Sequence, residues 1–167
     1  SQERTRLATP LPVADPDDPR LEPYRAIRER DLVGREGRFV VEGEVVLRLM
    51  LARGRFRLES VLLSRRRLTG SPDLAADVPA DVPLYVAEDS VIEASAGFAV
   101  HRGVLAIGLR GEQGTPEALI AALPERALVA VGIGLANHDN MGGLFRNAAA
   151  FGADAVLLDA TSCDPLY

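Results

Sequence analysis

The chain has 167 residues, 47% of them hydrophobic and 26% charged, with a formal net charge of −5. This length suits one large domain or two small ones. No apolar run approaches the roughly 18 residues that a membrane helix needs, so a soluble protein without a membrane partner is expected.

Cysteine and histidine are too scarce to predict a disulfide framework or a metal site. Cys163 is the single cysteine, so no intrachain disulfide can form, which favours a cytoplasmic location. The two histidines, His101 and His138, lie far from each other and from Cys163. They lack the close spacing of zinc ligands, and no metal is expected.

Arginine is the only basic residue apart from histidine, and it is concentrated in the first part of the chain. Residues 1–70 hold 15 arginines against 11 acidic residues, whereas residues 71–167 hold 4 against 13. The run Arg65, Arg66 and Arg67 could follow a nucleic-acid backbone, because a guanidinium grips phosphate with two N–H groups. The alternative is solvated surface, and the overall acidity argues against non-specific binding of polyanions.

Residues 1–19 form a polar, proline-marked segment that predicts a tail. The elements expected after it are a helix from Leu21 to about Gly34, a strand at RFVVEG, a helix closed by Gly54, strands at LESVLLS and PLYVA, a helix at EDSVIEASAG and a strand at GVLAIGLR. This alternation predicts a small α/β domain over residues 20–110.

Residues 111–116 combine glycine, charge and proline and predict a linker. Thr115 can then cap a helix that has Pro116 at its first position. The next elements are expected to be a helix at PEALIAAL, a strand at RALVAVGI buried on both faces of a parallel sheet, a helix capped by Asp139 or Asn140 and a strand at ADAVLLDA.

Polar residues crowd the loop between the last two predicted strands, in the stretch ANHDNMGGLFRN. Ligands of open α/β sheets bind outside the carboxyl ends of the strands, next to the amino ends of helices. The predicted helix has an apolar stripe through Met141, Leu144, Phe145 and Ala148, and Arg146 lies off that stripe. Arg146 is therefore expected to be available to an anionic ligand.

Residues 117–167 hold only two predicted strands, which are too few to bury both faces of a parallel sheet. We therefore expect the second domain to be incomplete in this sequence. The alternative is that the two strands extend the sheet of the first domain, giving a single domain.

Two phosphate-binding motifs are weakly matched or absent. Gly132 and Gly134 follow a strand as in a dinucleotide fingerprint, and Asp159 could be its ribose-binding acid, but Asn137 stands where the third glycine is needed. The P-loop requires a lysine, and the sequence contains none.

The stretch NHDNMGGLFRNAAAFGADAVLL resembles the first motif of the SpoU (TrmH-like) family of RNA ribose 2'-O-methyltransferases in the SPOUT superfamily. Asn140 and Gly142 match its Asn-x-Gly, Arg146 and Ala148 its arginine and alanine, and FGADAVLL its Phe-Gly before a strand. Upstream, RFVVEGEVVLRLML and HRGVLAI resemble the opening and closing motifs of the family's RNA-binding domain. The chain departs from the family at Asn137–His138, where Asp-Pro is usual, and at Asn147, where threonine is usual.

The resemblance implies an L30e-like amino-terminal domain, the first part of a SPOUT trefoil-knot domain, and a homodimer with a shared active site. It implies S-adenosyl-L-methionine as methyl donor, with its binding residues expected beyond Tyr167, and tRNA or rRNA as substrate. Arg146 and Asn140 would be catalytic. The substrate-binding residues would be Glu42, Arg65, Arg66, Arg67 and Arg102.

Two other functions remain open at this point. An RNA-binding module of the L30e type would need only the residues up to Arg110. A nucleotide-dependent α/β enzyme would use Gly132, Gly134 and Asp159 instead of Arg146.

Overall fold

A computed structural model describes residues 7–27, 37–112 and 114–166, and the chain divides into two compact units, residues 1–111 and 112–167. The strands are β1 (Pro10–Pro12), β2 (Arg38–Glu42), β3 (Arg57–Ser64), β4 (Leu84–Ala87), β5 (Val104–Leu109), β6 (Val129–Gly132) and β7 (Ala155–Leu158). The α-helices are α1 (Glu44–Arg53), α2 (Arg65–Gly70), α3 (Pro72–Ala76), α4 (Asp89–Ala96), α5 (Pro116–Ala121) and α6 (His138–Ala150). Two 3-10 helices span Pro19–Tyr24 and His101–Gly103. The predicted mixed α/β class is confirmed.

The first unit is built on a mixed sheet of five strands in the order β1-β4-β3-β5-β2. Strand β5 is antiparallel to both β2 and β3, whereas β4 is parallel to β3 and to β1. The carboxyl ends of β2, β3 and β4 therefore lie next to the amino end of β5, on the side of the sheet where these three strands end. We call this side the carboxyl edge, which is distinct from the outer strands of the sheet. Glu42 pairs there with Leu105, and Leu63 with Val104.

The core of the first unit lies along β3 and β5, whose residues 60–64 and 104–108 are buried. Leu62, Leu105 and Ile107 are fully buried and pack with Leu21 and Tyr24 of the 3-10 helix. Burial raises the pKa of Tyr24, and its hydroxyl is satisfied by a 2.7 Å hydrogen bond with Ser60 Oγ. The apolar residues of β3 and β5, together with the hydrogen bond between Tyr24 and Ser60, thus explain why these two strands lie in the interior of the sheet.

The predicted tail over residues 1–19 is wrong where the structure describes it. Pro10–Pro12 forms an edge strand parallel to β4, and Val13 is only 3% exposed. Proline removes backbone N–H donors, so a strand with two prolines is tolerated only at an edge. The helix expected from Leu21 is a short 3-10 helix that contains Pro23, and the rest of that prediction lies outside the described residues.

The second unit consists of a parallel pair, β6 and β7, connected by α6, with α5 before it. Gly132 is buried, and a Cβ built on it would lie 2.7 Å from Leu135 Cδ1 and 2.9 Å from Leu158 Cδ2. A larger residue at this position would therefore force the surrounding leucine side chains to move. The expectation that β6 is buried on both faces is wrong for residues 114–166, since Val131 and the following Ile133 are 61% and 76% exposed.

No helix in the described ranges is both long enough and apolar enough to span a membrane.

Candidate functional site

Helix α6 begins at the polar loop that follows β6, and Asn137 caps it. Asn137 has extended backbone dihedrals, and its Oδ1 accepts hydrogen bonds from the backbone N–H groups of Asp139 (2.8 Å) and Asn140 (3.0 Å). The prediction that Asp139 or Asn140 caps the helix is therefore wrong. One amide oxygen satisfies two of the four free N–H groups at the helix start. The side chain of Asn140 consequently stands exposed on the first turn, with no hydrogen bond of its own in the described part of the chain.

Arg146 lies six residues after Asn140 on α6, and its guanidinium reaches back toward the start of the helix. A Cβ built on Gly142 would lie 3.1 Å from Arg146 Nη1, and one on Gly143 would lie 4.0 Å from Nη2. A long helical side chain leans toward the amino terminus and so covers the residue four positions before it. Gly142 lacks a side chain, which leaves the guanidinium room to lie flat there.

Arg146 is exposed and forms no ion pair or hydrogen bond with any described residue. The opposite face of α6 is anchored, since Met141 is 2% exposed and Ala148 is 9% exposed. Phe145 lies at the margin of that face and is 40% exposed. Helix α6 thus presents an exposed guanidinium, Arg146, and on its first turn an exposed amide, Asn140, neither with a side-chain partner among the described residues. This arrangement suits an anion or a group with hydrogen-bond acceptors.

Asp159, at the carboxyl end of β7, is already fully engaged. Its Oδ1 accepts the N–H of Gly134 at 2.9 Å and the hydroxyl of Ser162, and its Oδ2 accepts the hydroxyl of Thr161. The hydrogen bond from Ser162 first, then those from Thr161 and Gly134, hold the pKa of Asp159 well below its usual range. Asp159 therefore binds together the two loops after β6 and β7.

Replacing Asp159 with asparagine is expected to lower the unfolding temperature at neutral pH. Because the pKa of Asp159 is depressed in the folded state, its stabilisation is present above the ordinary value of about 4 and is lost as the pH falls below it. Thermal unfolding of the wild type and Asp159→Asn between pH 7 and pH 2 should therefore converge at the acid end. Glu125→Gln, at an exposed acid of the same unit, is the control. A constant difference at every pH would contradict this role.

The carboxyl edge of the first unit gathers the other predicted site residues. Glu42 ends β2, and Arg65–Arg67 begin α2 directly after β3, where Ser64 Oγ accepts the N–H of Arg67 at 3.1 Å. Arg102 precedes β5. The sheet topology thus brings Glu42, the arginine run and Arg102 to one edge, although they are up to 60 positions apart in the sequence.

The three consecutive arginines each face a carboxylate. Arg65 Nε donates to Glu88 at 2.6 Å, and Arg67 Nη1 lies 3.3 Å from Glu44. Arg66 Nε is 3.6 Å from Asp89, and both side chains are largely exposed. The positive charge of the run is therefore largely balanced locally, a feature that counting arginines in the sequence does not reveal.

Arg102 differs from the run in backbone and in environment. Its φ is +73°, in the left-handed region that favours glycine, and its exposed side chain has no partner among the described residues. Arg67 Nε donates to its backbone carbonyl at 3.1 Å. The next residue, Gly103, lies against Ser64, and a Cβ built there would be 2.2 Å from Ser64 Oγ.

Four residues at these two sites were not predicted to contribute: Ser64, Gly103, Gly142 in its contact with Arg146, and Asp159 in its binding of the two loops. The glycine four positions before Arg146 was the one available signal in the sequence, because that spacing places it under the arginine on a helix.

Within residues 7–27, 37–112 and 114–166, no cluster of three histidine, cysteine or acidic side chains could hold a metal.

Comparison with known proteins gives consistent results. The chain is 39% identical over 160 residues to uncharacterized tRNA/rRNA methyltransferases from Mycobacterium bovis and Mycobacterium tuberculosis. The aligned region covers 93% of this chain and 53% of each relative, so the chain spans about half their length. No family model matches the chain.

Solved structures share the fold at lower sequence identity. An rRNA methyltransferase from Sinorhizobium meliloti superposes with a TM-score of 0.70 at 18% identity, covering 94% of this chain and 57% of that one. An AdoMet-bound structure of an rRNA methyltransferase from that organism gives 0.67 at 16% identity, with the same coverage. An RNA 2'-O ribose methyltransferase gives 0.63 at 22% identity, covering 93% and 59%.

A further structure, from Porphyromonas gingivalis, is described as a proposed RNA methyltransferase of the TrmH family. It gives a TM-score of 0.67 at 22% identity, covering 87% of this chain and 53% of that one. The resemblance to the TrmH-like RNA methyltransferases that the sequence motifs indicated is confirmed by these relatives and by the shared fold.

Proposed function

We propose that the full gene product transfers a methyl group from S-adenosyl-L-methionine to a ribose 2'-hydroxyl of tRNA or rRNA. The observation that carries this proposal is the exposed guanidinium of Arg146, which lies over Gly142 and has no partner among the described residues, on the helix whose first turn bears the exposed amide of Asn140. The name of the relatives supports RNA methylation, and the neighbour named a 2'-O ribose methyltransferase supports the ribose as acceptor.

Transfer would join the ribose 2'-oxygen to the methyl carbon as the methyl–sulfur bond breaks, would release S-adenosylhomocysteine, and would pass the hydroxyl proton to water. Bound S-adenosylmethionine supplies the electrophilic methyl group. Arg146 is a poor base, because the pKa of a guanidinium exceeds about 12. Its role is therefore to hold the adjacent phosphate and polarise the hydroxyl, which aligns the ribose oxygen with the methyl group. Asn140 would fix the loop and contact the ribose or a partner subunit.

The acid suited to binding a ribose, Asp159, already accepts hydrogen bonds from Gly134, Thr161 and Ser162. We therefore assign no donor-binding residue in residues 114–166. The activity is proposed for the full gene product, given that the chain spans about half the length of its curated relatives.

The first unit is proposed to be an L30e-like RNA-binding domain. The candidates for substrate contact are Glu42, Arg65, Arg66, Arg67 and Arg102. All five belong to the carboxyl edge, which supports the proposal that they contact RNA together. A homodimer that shares the active site and a cytoplasmic location complete the proposal.

The two rival functions explain fewer observations. An RNA-binding module alone gives no role to the exposed Arg146 and Asn140. A nucleotide-dependent enzyme would need Asp159 free and Gly132 open to a ligand, yet Asp159 is engaged and Gly132 is covered by leucine side chains.

Gly142→Ala is expected to reduce methyl transfer about tenfold while stabilising the fold by up to about 1 kcal/mol. The added methyl group would displace the guanidinium of Arg146, whereas alanine is the better residue inside a helix. Gly143→Ala is the matched control, because its Cβ would make only an ordinary 4.0 Å contact with Arg146. Thermal unfolding and methyl incorporation should be measured on both. Equal activities would remove the special role of Gly142.

Incubating the full gene product with methyl-labelled S-adenosylmethionine and a mixed tRNA and rRNA pool tests the proposal. Nucleoside analysis should detect 2'-O-methyl ribose, and the modified linkage should resist alkaline hydrolysis. Label on a base, or none on RNA at any concentration of the protein, would refute the assignment.

A further inference from the structure

Arg102 is the non-glycine residue at the carboxyl edge that adopts a left-handed backbone, with φ +73° and ψ 0°. Such a conformation strains any residue with a side chain and persists only where its surroundings impose it. Glycine would relieve the strain, yet the position carries the longest cationic side chain. Strained positions of this kind concentrate at sites where a side chain has to point in a particular direction.

The surrounding contacts explain how the conformation is imposed. Arg67 Nε holds the carbonyl of Arg102 at 3.1 Å, and Gly103 packs directly over Ser64. On the far side, the carbonyl of Val104 accepts the N–H of Gly43 at 3.0 Å. The turn that bears Arg102 is thus attached to both α2 and the start of α1.

The side chain of Arg102 differs from those of Arg65 and Arg67 in having no carboxylate paired with it among the described residues. Arg65 and Arg67 face Glu88 and Glu44, so a phosphate approaching either guanidinium also approaches a carboxylate. Like charges at such distances oppose binding. Asp89 Oδ1 lies near the same turn, 3.5 Å from a Cβ built on Gly103, but Arg102 is exposed and makes no ion pair within the described residues, so its guanidinium is free to meet a phosphate.

We infer that Arg102 is the arginine of the carboxyl edge that grips an RNA phosphate, and that Arg67 is a positioning residue that holds its turn. This inference rests on the proposed RNA substrate and divides the five candidate residues by role. Arg65 and Arg66 then belong to the charge-balanced surface around the contact.

The test measures binding of the protein to unfractionated tRNA across a salt series. Arg102→Ala is expected to weaken binding and to reduce the salt slope by about one phosphate contact. Arg57, exposed at the opposite end of β3, serves as the control and should keep the wild-type slope. An unchanged slope in Arg102→Ala, or an equal loss in Arg57→Ala, would overturn the inference.

Arg102→Gly separates binding from folding. It relieves the positive φ, so it should unfold at the same temperature as the wild type or higher while binding RNA as weakly as Arg102→Ala. Wild-type affinity in Arg102→Gly would overturn the inference.

The positioning role of Arg67 has its own test. Arg67→Ala should weaken binding, but should not reduce the salt slope further when combined with Arg102→Ala. Additive slope losses would instead make Arg67 a second phosphate contact. If the wild type neither binds nor methylates RNA, the proposed function itself is wrong. If the wild type methylates RNA but Arg102→Ala binds RNA like the wild type, only the inference about Arg102 is wrong.

Discussion

Arg146→Ala in the full gene product is expected to lower methyl transfer at least about 100-fold, the cost of removing one fixed donor from a developing charge. Folding should be unaffected, because Arg146 is exposed and makes no bond within the described part of the chain. The methyl-transfer rate of Arg146→Lys should lie between those of the wild type and Arg146→Ala, because lysine keeps the positive charge but lacks the planar guanidinium.

The matched control is Arg126→Ala, which removes an exposed arginine of the same unit in the loop before β6. Single-turnover methyl transfer at saturating RNA should separate the variants, with Arg126→Ala at the wild-type rate. If Arg146→Ala kept that rate, or lost rate only through unfolding, the guanidinium would have no part in the chemistry.

Gly103→Ala is expected to give the largest loss of stability, about 2 to 3 kcal/mol. The new Cβ would lie 2.2 Å from Ser64 Oγ and 2.7 Å from Ser64 Cβ, and the residue would keep a φ of +61°. Overpacking and backbone strain each cost about 1 to 3 kcal/mol. The turn would have to move away from α2, so RNA binding through Arg102 should weaken as well.

Gly54→Ala isolates the backbone part of this cost. Gly54 has almost the same φ, +60°, at the end of α1, but no atom lies within 4 Å of a Cβ built there. Denaturant unfolding should show a loss of about 1 kcal/mol for Gly54→Ala and a clearly larger one for Gly103→Ala. Equal losses in the free energy of unfolding would mean that the contact with Ser64 adds nothing to the cost of Gly103→Ala.

Local sequence patterns predicted much of the fold correctly. Thr115 caps α5 with Pro116 at its first position, and Gly54 and Gly97 end their helices in the left-handed conformation. The predicted strands from RFVVEG to ADAVLLDA are all present. These features depend on neighbours within a few positions, which is the range that a sequence pattern reports.

The missed features depend on contacts between distant segments. The edge strand at Pro10–Pro12 forms because β4 provides its hydrogen-bonding partner. Whether a face of β6 is buried depends on the segments that pack against it and not on the apolar composition of β6 itself. In the loop before α6, three residues can serve as caps, and only the backbone conformation of Asn137 decides between them.

At the candidate sites too, the sequence predicted local features and missed those that depend on distant segments. The motif identified Arg146 and Asn140, but not that Gly142 provides the space for the guanidinium. The arginine run was visible in the sequence, whereas its pairing with Glu44, Glu88 and Asp89 depends on elements brought together by the sheet. Charge counted along a sequence overstates the field at the surface when the fold places acids opposite each base.

The most direct test is a crystal structure of the full gene product with a substrate RNA fragment and an unreactive analogue of the methyl donor. The guanidinium of Arg146 should lie within about 3 Å of the phosphate or the 2'-oxygen of the target nucleotide. If the RNA instead occupied a different surface and left Arg146 in solvent, the proposed role of the loop before α6 would be contradicted.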